Sequence, residues 1–411
     1  MQSTRLTLKS LWRLYHDAQA LLKDGNTHDA ACLFRRLAFA RVRRSRGTAV
    51  NTPEEQNPLV AQARLGLCYC FVEQGDLERA LRELDVVLAM EPTNPEALCE
   101  LAYIMNLRGE RDQARAALEK AISHNPDSAK AHKALGYFFL QEDQVEQAIA
   151  ECSLAVRCDP SYDVAHVELA VSLARAGRMD DAVRAMARAI QLCPQRVDYY
   201  FSLASLLRET RRSEEAGTVL RQGLRLDPEN ADLLESASEV MLELGDADAA
   251  IEYARRLLRC SSKSLAARDL LGVAYLQQGR VSEALRMADQ MVALNPLDPS
   301  HHFKKAVLFQ QQGMLREATG EFLRVTTLAP ESEMADEARQ AIESMDSHQI
   351  RQIILLASED PVFRAKLRRN AATATEERRF FLSEIGLAML QSLDIDAIAS
   401  CTGSQRPTHY H

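Results

Sequence analysis

A period of 34 residues governs most of this chain. With residue 61 as position 1, eight units begin at 61, 95, 129, 163, 197, 231, 265 and 299, and no gap is needed between 61 and 332. Position 20 is Ala in every unit: Ala80, Ala114, Ala148, Ala182, Ala216, Ala250, Ala284 and Ala318. Position 8 is always small, as Cys68, Ala102, Gly136, Ala170, Ala204, Ser238, Gly272 or Ala306. Position 32 is Pro except at Ser262, and position 15 is Gly except at Asp143 and Arg211. A fixed period of this length marks stacked copies of one supersecondary unit.

Each position has a physical reason. Two helices that cross closely need small residues at the contact, because larger side chains push the backbones apart. Positions 8 and 20 meet that need, and large apolar residues at 7, 11 and 24, such as Leu101, Met105 and Leu118, fill the space around them. Gly at 15 ends the first helix in a left-handed turn. Pro at 32 ends the second by disfavouring helix in the residue before it. Each unit therefore reads as a helical hairpin that completes its core against its neighbours.

With these residues in place, the sequence resembles the tetratricopeptide repeat family. The stretch LGVAYLQQGRVSEALRMADQMVALNP, residues 271–296, is close to a consensus unit, and the resemblance covers about two thirds of the chain. It implies an all-α fold, a right-handed superhelical solenoid of helical hairpins. A worn ninth unit precedes the eight, with Gly25, Ala30 and Phe34 at positions 15, 20 and 24 of a unit starting at Leu11. Residues 1–60 then form an atypical repeat plus a polar loop, and 61–332 the regular array. Residues 333–346 are expected to be a capping helix, 347–400 a small C-terminal helical module, and 401–411 a disordered tail.

In this family the first helix of each unit lines a concave groove. Carried over by position, the resemblance places Tyr69, Tyr103 and Tyr137 there at position 9, with Asn106 at position 12 and Lys130 and Lys133 at positions 2 and 5 of the third unit. Arg175 and Arg208 follow in later units, among glutamates that read as a solvated face. The tyrosines have two readings: hydroxyl donors for an extended peptide or partner helix, or rings packed between adjacent first helices. The family's carboxylate clamp for chaperone tails is absent. Lys133 stands at its first place, but Tyr137, Glu168, Asp198 and Ser202 occupy the others, so no chaperone docking of that kind is expected. Unit 231–264 departs most from the pattern, with Ala237, Ser238 and no Pro at 32, and is expected to form a weaker or reshaped seam.

Beyond 346 the grammar stops. Asp360-Pro361 reads as a helix start, and Thr375 with Glu376 and Glu377 as another, after which Phe381, Ile385 and Ala388 share one face. The string DPVFRAKLRRNAATA…FFLSEIGLAML loosely resembles the helical leaders of nitrile-hydratase-like peptide precursors; a private cap or docking module is the other reading.

The rest of the composition narrows the function class. The formal net charge of −8 argues against general nucleic-acid binding, although residues 1–60 carry ten Lys and Arg against five Asp and Glu. No run is long and apolar enough for a membrane span, and no signal peptide is read at the start. Nine cysteines without a Cys-x-x-Cys spacing fit free thiols in a reducing cytoplasm. There is no Gly-rich phosphate loop, nucleophile elbow or His-Glu-x-x-His, so no catalytic residue, no cofactor and no enzymatic activity are expected. His16, His28 and Cys32 are too few for a stable zinc site, so no metal site is expected. The sequence thus points to a cytoplasmic, non-catalytic scaffold or adaptor that binds a peptide or partner protein in its groove. The alternative is an accessory or regulatory subunit of a larger enzyme or secretion complex, docking through the C-terminal module.

Overall fold

A computed structural model describes residues 5–42 and 59–395. The chain forms two compact units, Met1–Arg211 and Arg212–His411. In the first, a pair of two-residue parallel strands, β1 (Arg5–Leu6) and β2 (Arg41–Val42), flanks α1 (Leu8–Lys23) and α2 (Thr27–Ala38). Four further hairpins-in-series follow as α3 (Val60–Glu73) and α4 (Leu77–Met90), α5 (Pro95–Leu107) and α6 (Arg111–His124), α7 (Ala129–Gln141) and α8 (Val145–Cys158), and α9 (Asp163–Arg175) and α10 (Met179–Leu192), before α11 (Val197–Glu209). The second unit opens with α12 (Ser213–Leu226) and continues through α13 (Ala231–Glu243), α14 (Ala247–Cys260), α15 (Leu265–Gln277), α16 (Val281–Leu294), α17 (Pro299–Gln311) and α18 (Leu315–Leu328). It ends in α19 (Glu333–Glu359), α20 (Pro361–Arg369), α21 (Ala371–Glu377) and α22 (Glu384–Ser392).

The small positions lie at the helix crossings. All eight position-20 alanines are buried, none more than 1% exposed. The α7–α8 hairpin shows why size matters. A Cβ on Gly136 would meet Cys152 Sγ at 2.5 Å and the Ala148 carbonyl oxygen at 3.3 Å. Position 15 is left-handed in every unit: the six glycines have φ between 72° and 79°, and Asp143 and Arg211 take φ 59°. The geometry of the hairpin is therefore dictated by the crossing, and the two non-glycine residues are held in a conformation that L-residues rarely adopt.

A contact outside the small-residue pattern seals successive hairpins. In five units the position-4 side chain hydrogen-bonds to the position-32 carbonyl of the unit before it; where position 4 is Leu98 or Leu234 it cannot. His132 Nε2 lies 2.8 Å from Pro126 O, His166 Nε2 3.2 Å from Pro160 O, and His302 Nε2 2.9 Å from Pro296 O. Tyr200 donates its hydroxyl to Pro194 O at 3.0 Å, and Arg268 donates to Ser262 O at 2.7 Å. A carbonyl just past a helix end thereby gains a side-chain partner.

Unit 231–264 keeps the common backbone. Ser261, which precedes Ser262 rather than a proline, has φ −132°, as the residues before the prolines do. Ser238 donates to Ala250 O at 3.0 Å, and Leu257 is 2% exposed. The backbone is not reshaped there, and Arg268 makes to Ser262 O the same closing bond that His132, His166, Tyr200 and His302 make to proline carbonyls.

The C-terminal module corrects three expectations. The helix expected to stop at 346 runs unbroken to Glu359, and Asp360 both ends it and caps α20. Thr375 does not begin a helix. Asn370 caps α21, and Thr375 lies in its last turn, its hydroxyl bonded back to Ala371 O at 2.9 Å. Phe381, Ile385 and Ala388 do not share a helix face, since α22 starts only after Ser383 and Ile385 is 72% exposed. Two buried polar residues of α19 determine this path. Gln349 donates to Phe381 O at 2.9 Å and accepts from Phe381 N at 2.8 Å. Asp346 accepts from the backbone N–H of Ser383 at 2.9 Å and from its hydroxyl. Ile353, Phe363, Leu367 and Leu390 form the module's own core.

Ala148→Leu forces a larger side chain into the α7–α8 crossing and is expected to cost about 1–3 kcal/mol in urea unfolding. Unchanged stability would show that the crossing yields to side-chain size.

Glu321 supplies a pH test. Its carboxylate bonds to His302 Nδ1 at 2.6 Å and pairs with Lys305 at 3.0 Å. Burial pushes its pKa up, but the hydrogen bonds from His302 and Lys305 and the nearby charges outweigh that and hold it below the usual value. A lowered folded-state pKa means the stabilisation is present above the unfolded value and lost as pH falls through the folded one. Glu321→Gln is expected to melt at a lower temperature than wild type near neutrality. The gap should close as pH drops below the ordinary glutamate value of ~4.3; a gap independent of pH would contradict the assignment.

Candidate functional groove

The first unit contains a groove of about 560 Å³ across the first helices of successive hairpins. Helical side chains three and four residues apart share a face, so Glu96, Glu100 and Tyr103 project from one side of α5, and Lys130, Lys133 and Tyr137 from one side of α7. Tyr69 on α3, Tyr103 and Tyr137 bring the position-9 rings of three units to one wall. Tyr69 is 44% and Tyr103 43% exposed, and Tyr137 is half-buried. Asn106 lies on the same lining.

Six of the eight residues singled out by sequence thus border one cavity: Tyr69, Tyr103, Asn106, Lys130, Lys133 and Tyr137. Arg175 and Arg208 do not. Arg175 turns to the end of α7, donating to Leu140 O at 3.2 Å and standing 3.9 Å from Asp143. Arg208 lies on α11, away from this lining. The sequence reading passed over Tyr15, Glu73, Glu96, Glu100 and Tyr162, which also line the groove. The signal for Tyr15 was available, since it sits at position 5 of the worn first unit. Glu100 occupies position 6, which varies from Gly66 to Glu168 and so has no repeat signature.

The electrostatics of the groove are uneven. Glu96 and Lys130 form an ion pair across α5 and α7. Burial raises the Glu100 carboxyl above its ordinary value, with Lys133 opposing that shift. Burial likewise raises Glu168, with Lys133 again opposing. A single ammonium therefore serves two carboxylates. Burial pushes the Tyr162 phenol up to about 12, aided by Asp163, and the Cys99 thiol up to about 12, aided by Glu100. A thiol raised in this way stays protonated near neutrality and is a poor nucleophile. Among the described residues no group of three His, Cys, Asp or Glu is placed to hold a metal ion. The groove offers ring faces, hydroxyls and separated charges, which suit recognition.

Replacing Lys133 by Met is expected to raise the carboxyl titrations of both Glu100 and Glu168, read by side-chain NMR across pH. A change at neither would place the ammonium elsewhere.

Comparison with known proteins gives a consistent family. The model described as Cilia and flagella-associated protein 70 C-terminal domain matches residues 71–305, more than half of the chain. A tetratricopeptide repeat model matches residues 17–95. A search of curated proteins finds no match. Among solved structures, PilW, a widely conserved type IV pilus biogenesis factor, is 22% identical, covering 52% of this chain and 98% of its own, with a TM-score of 0.45. PilF of Pseudomonas aeruginosa is 20% identical, covering 51% and 95%, with a TM-score of 0.43. The Cut9–Hcn1 structure of the APC/C is 18% identical, covering 82% and 67%, with a TM-score of 0.42.

Proposed function

The chain belongs to the tetratricopeptide repeat family, in the group of the Cilia and flagella-associated protein 70 C-terminal domain, and from that premise we propose that it is a non-catalytic interaction scaffold binding an extended peptide or partner segment in the groove of its first unit. Tetratricopeptide repeat proteins are in general scaffolds for protein partners, and no helix among the described residues is long and apolar enough to cross a membrane. The observation that carries the groove reading is the convergence of Tyr69, Tyr103 and Tyr137 on one cavity. Rigid amphipathic rings provide contact area at low conformational cost.

A second reading keeps the module at 347–395 as a docking element for a larger assembly. It has its own core, and it leaves Val362 67% and Ile385 72% exposed.

The test is a crosslinking pulldown with quantitative mass spectrometry on the whole chain. Tyr103→Ala with Lys133→Ala is expected to reduce recovery of the specific partner about tenfold, as loss of a central aromatic anchor does. Ile385→Asp should leave it unchanged. The reverse pattern would move recognition to the C-terminal module. Truncation at 344 is unsuitable, because it would cut through α19.

A further inference from the structure

We propose that the groove of the first unit accepts a cationic side chain, an arginine or lysine of an extended peptide, placed against Tyr103 and Tyr137 and paired with Glu100. The inference rests on the peptide-groove reading above and names the chemistry of its guest.

The charges that border the cavity decide its sign. Glu96 and Lys130 neutralise each other across α5 and α7. Glu73 lies beside the Tyr69 hydroxyl. No hydrogen bond or ion pair joins Glu100 to any other described residue. Its charge is offset chiefly by Lys133 and less by Lys130, and Lys133 also opposes the shift at Glu168 while forming an ion pair with neither. Among the described residues Glu73 and Glu100 are therefore both without an ion-pair partner, and Glu100 is the less exposed of the two, in a partly dehydrated site where unpaired charge is costly. Burial already strains the charged form of Glu100, and a visiting cation would relieve that strain.

The walls agree with the charge. Tyr103 is one turn beyond Glu100 on the same face of α5, and Tyr137 is its neighbour on α7. An aromatic ring presents a negative face, which attracts a guanidinium or ammonium ion and gives nothing to a carboxylate. An anionic guest would share the cavity with Glu73, Glu96 and Glu100.

The experiment uses the whole chain and fluorescein-tagged, N-acetylated seven-residue peptide pools. Six positions are degenerate, and the central one is fixed as Arg, Lys, citrulline or Glu. Citrulline keeps the shape of arginine and removes its charge. Fluorescence anisotropy titrations are expected to show Arg and Lys pools half-saturating at concentrations about tenfold below the citrulline and Glu pools, the scale of one charge-assisted contact. Glu100→Gln should abolish that preference while leaving citrulline binding unchanged, with its folding checked by circular dichroism. Three results would overturn the inference. A preference for Glu would make Lys133 the anchor for an anionic guest. Equal binding of all four pools, lost in Tyr103→Ala, would keep a peptide groove blind to charge. Binding by no pool, or binding untouched by Tyr103→Ala, would remove the groove reading itself and this inference with it.

Discussion

Everything in this protein depends on how closely two helix backbones approach within a hairpin. At α7–α8 the approach leaves no room for a single methyl group on Gly136 without displacing Cys152. The same demand explains why the position-20 alanine is buried in all eight units. Close approach brings the large residues at neighbouring positions into contact and forces a left-handed residue at the turn. That turn then directs the next helix. A hairpin of this kind has an apolar face it cannot bury alone, so the repeat must stack. Stacking in turn aligns position 9 of successive units, and three tyrosines 34 residues apart become neighbours.

The features set by that approach were legible in the sequence. Steric requirements repeat identically, so Ala at 20, small residues at 8 and Gly at 15 announce themselves by recurrence. Where recurrence fails, reading became unreliable. The closing hydrogen bond from position 4 was missed because chemically different donors make it: His132, Tyr200 and Arg268 share a function and no resemblance. At Arg268 the bond is present although position 32 is Ser262 rather than proline, and the backbone keeps its common course. The two devices secure the same helix end, and only one is visible as a residue type.

The C-terminal module was harder for a related reason. Thr375 followed by two glutamates is a sound local signal for a helix start. Tertiary hydrogen bonds override it. Asp346 and Gln349, one turn apart on α19, anchor the backbone of Phe381 and Ser383. This delays the last helix until Glu384. No local pattern reports a contact made across more than thirty residues. The same reasoning applies to α19 itself, whose expected boundary at 346 lies among residues buried against this module.

The groove shows how function departs from the repeat. Positions required for packing are constant, and they carry no information about a ligand. Information lies where units differ: Tyr at 9 in three units, Glu at 6 in two, Lys at 2 and 5 in one. Six of the singled-out residues could be placed by position alone, because the family's geometry fixes which positions face the groove. Glu100 could not, since its importance comes from its surroundings. It is a carboxylate raised by burial, beside a lysine that Glu168 also claims. Charge balance is a property of the assembled cavity rather than of any unit. A regular array therefore supplies the wall, and the departures from regularity set the sign of what the wall attracts.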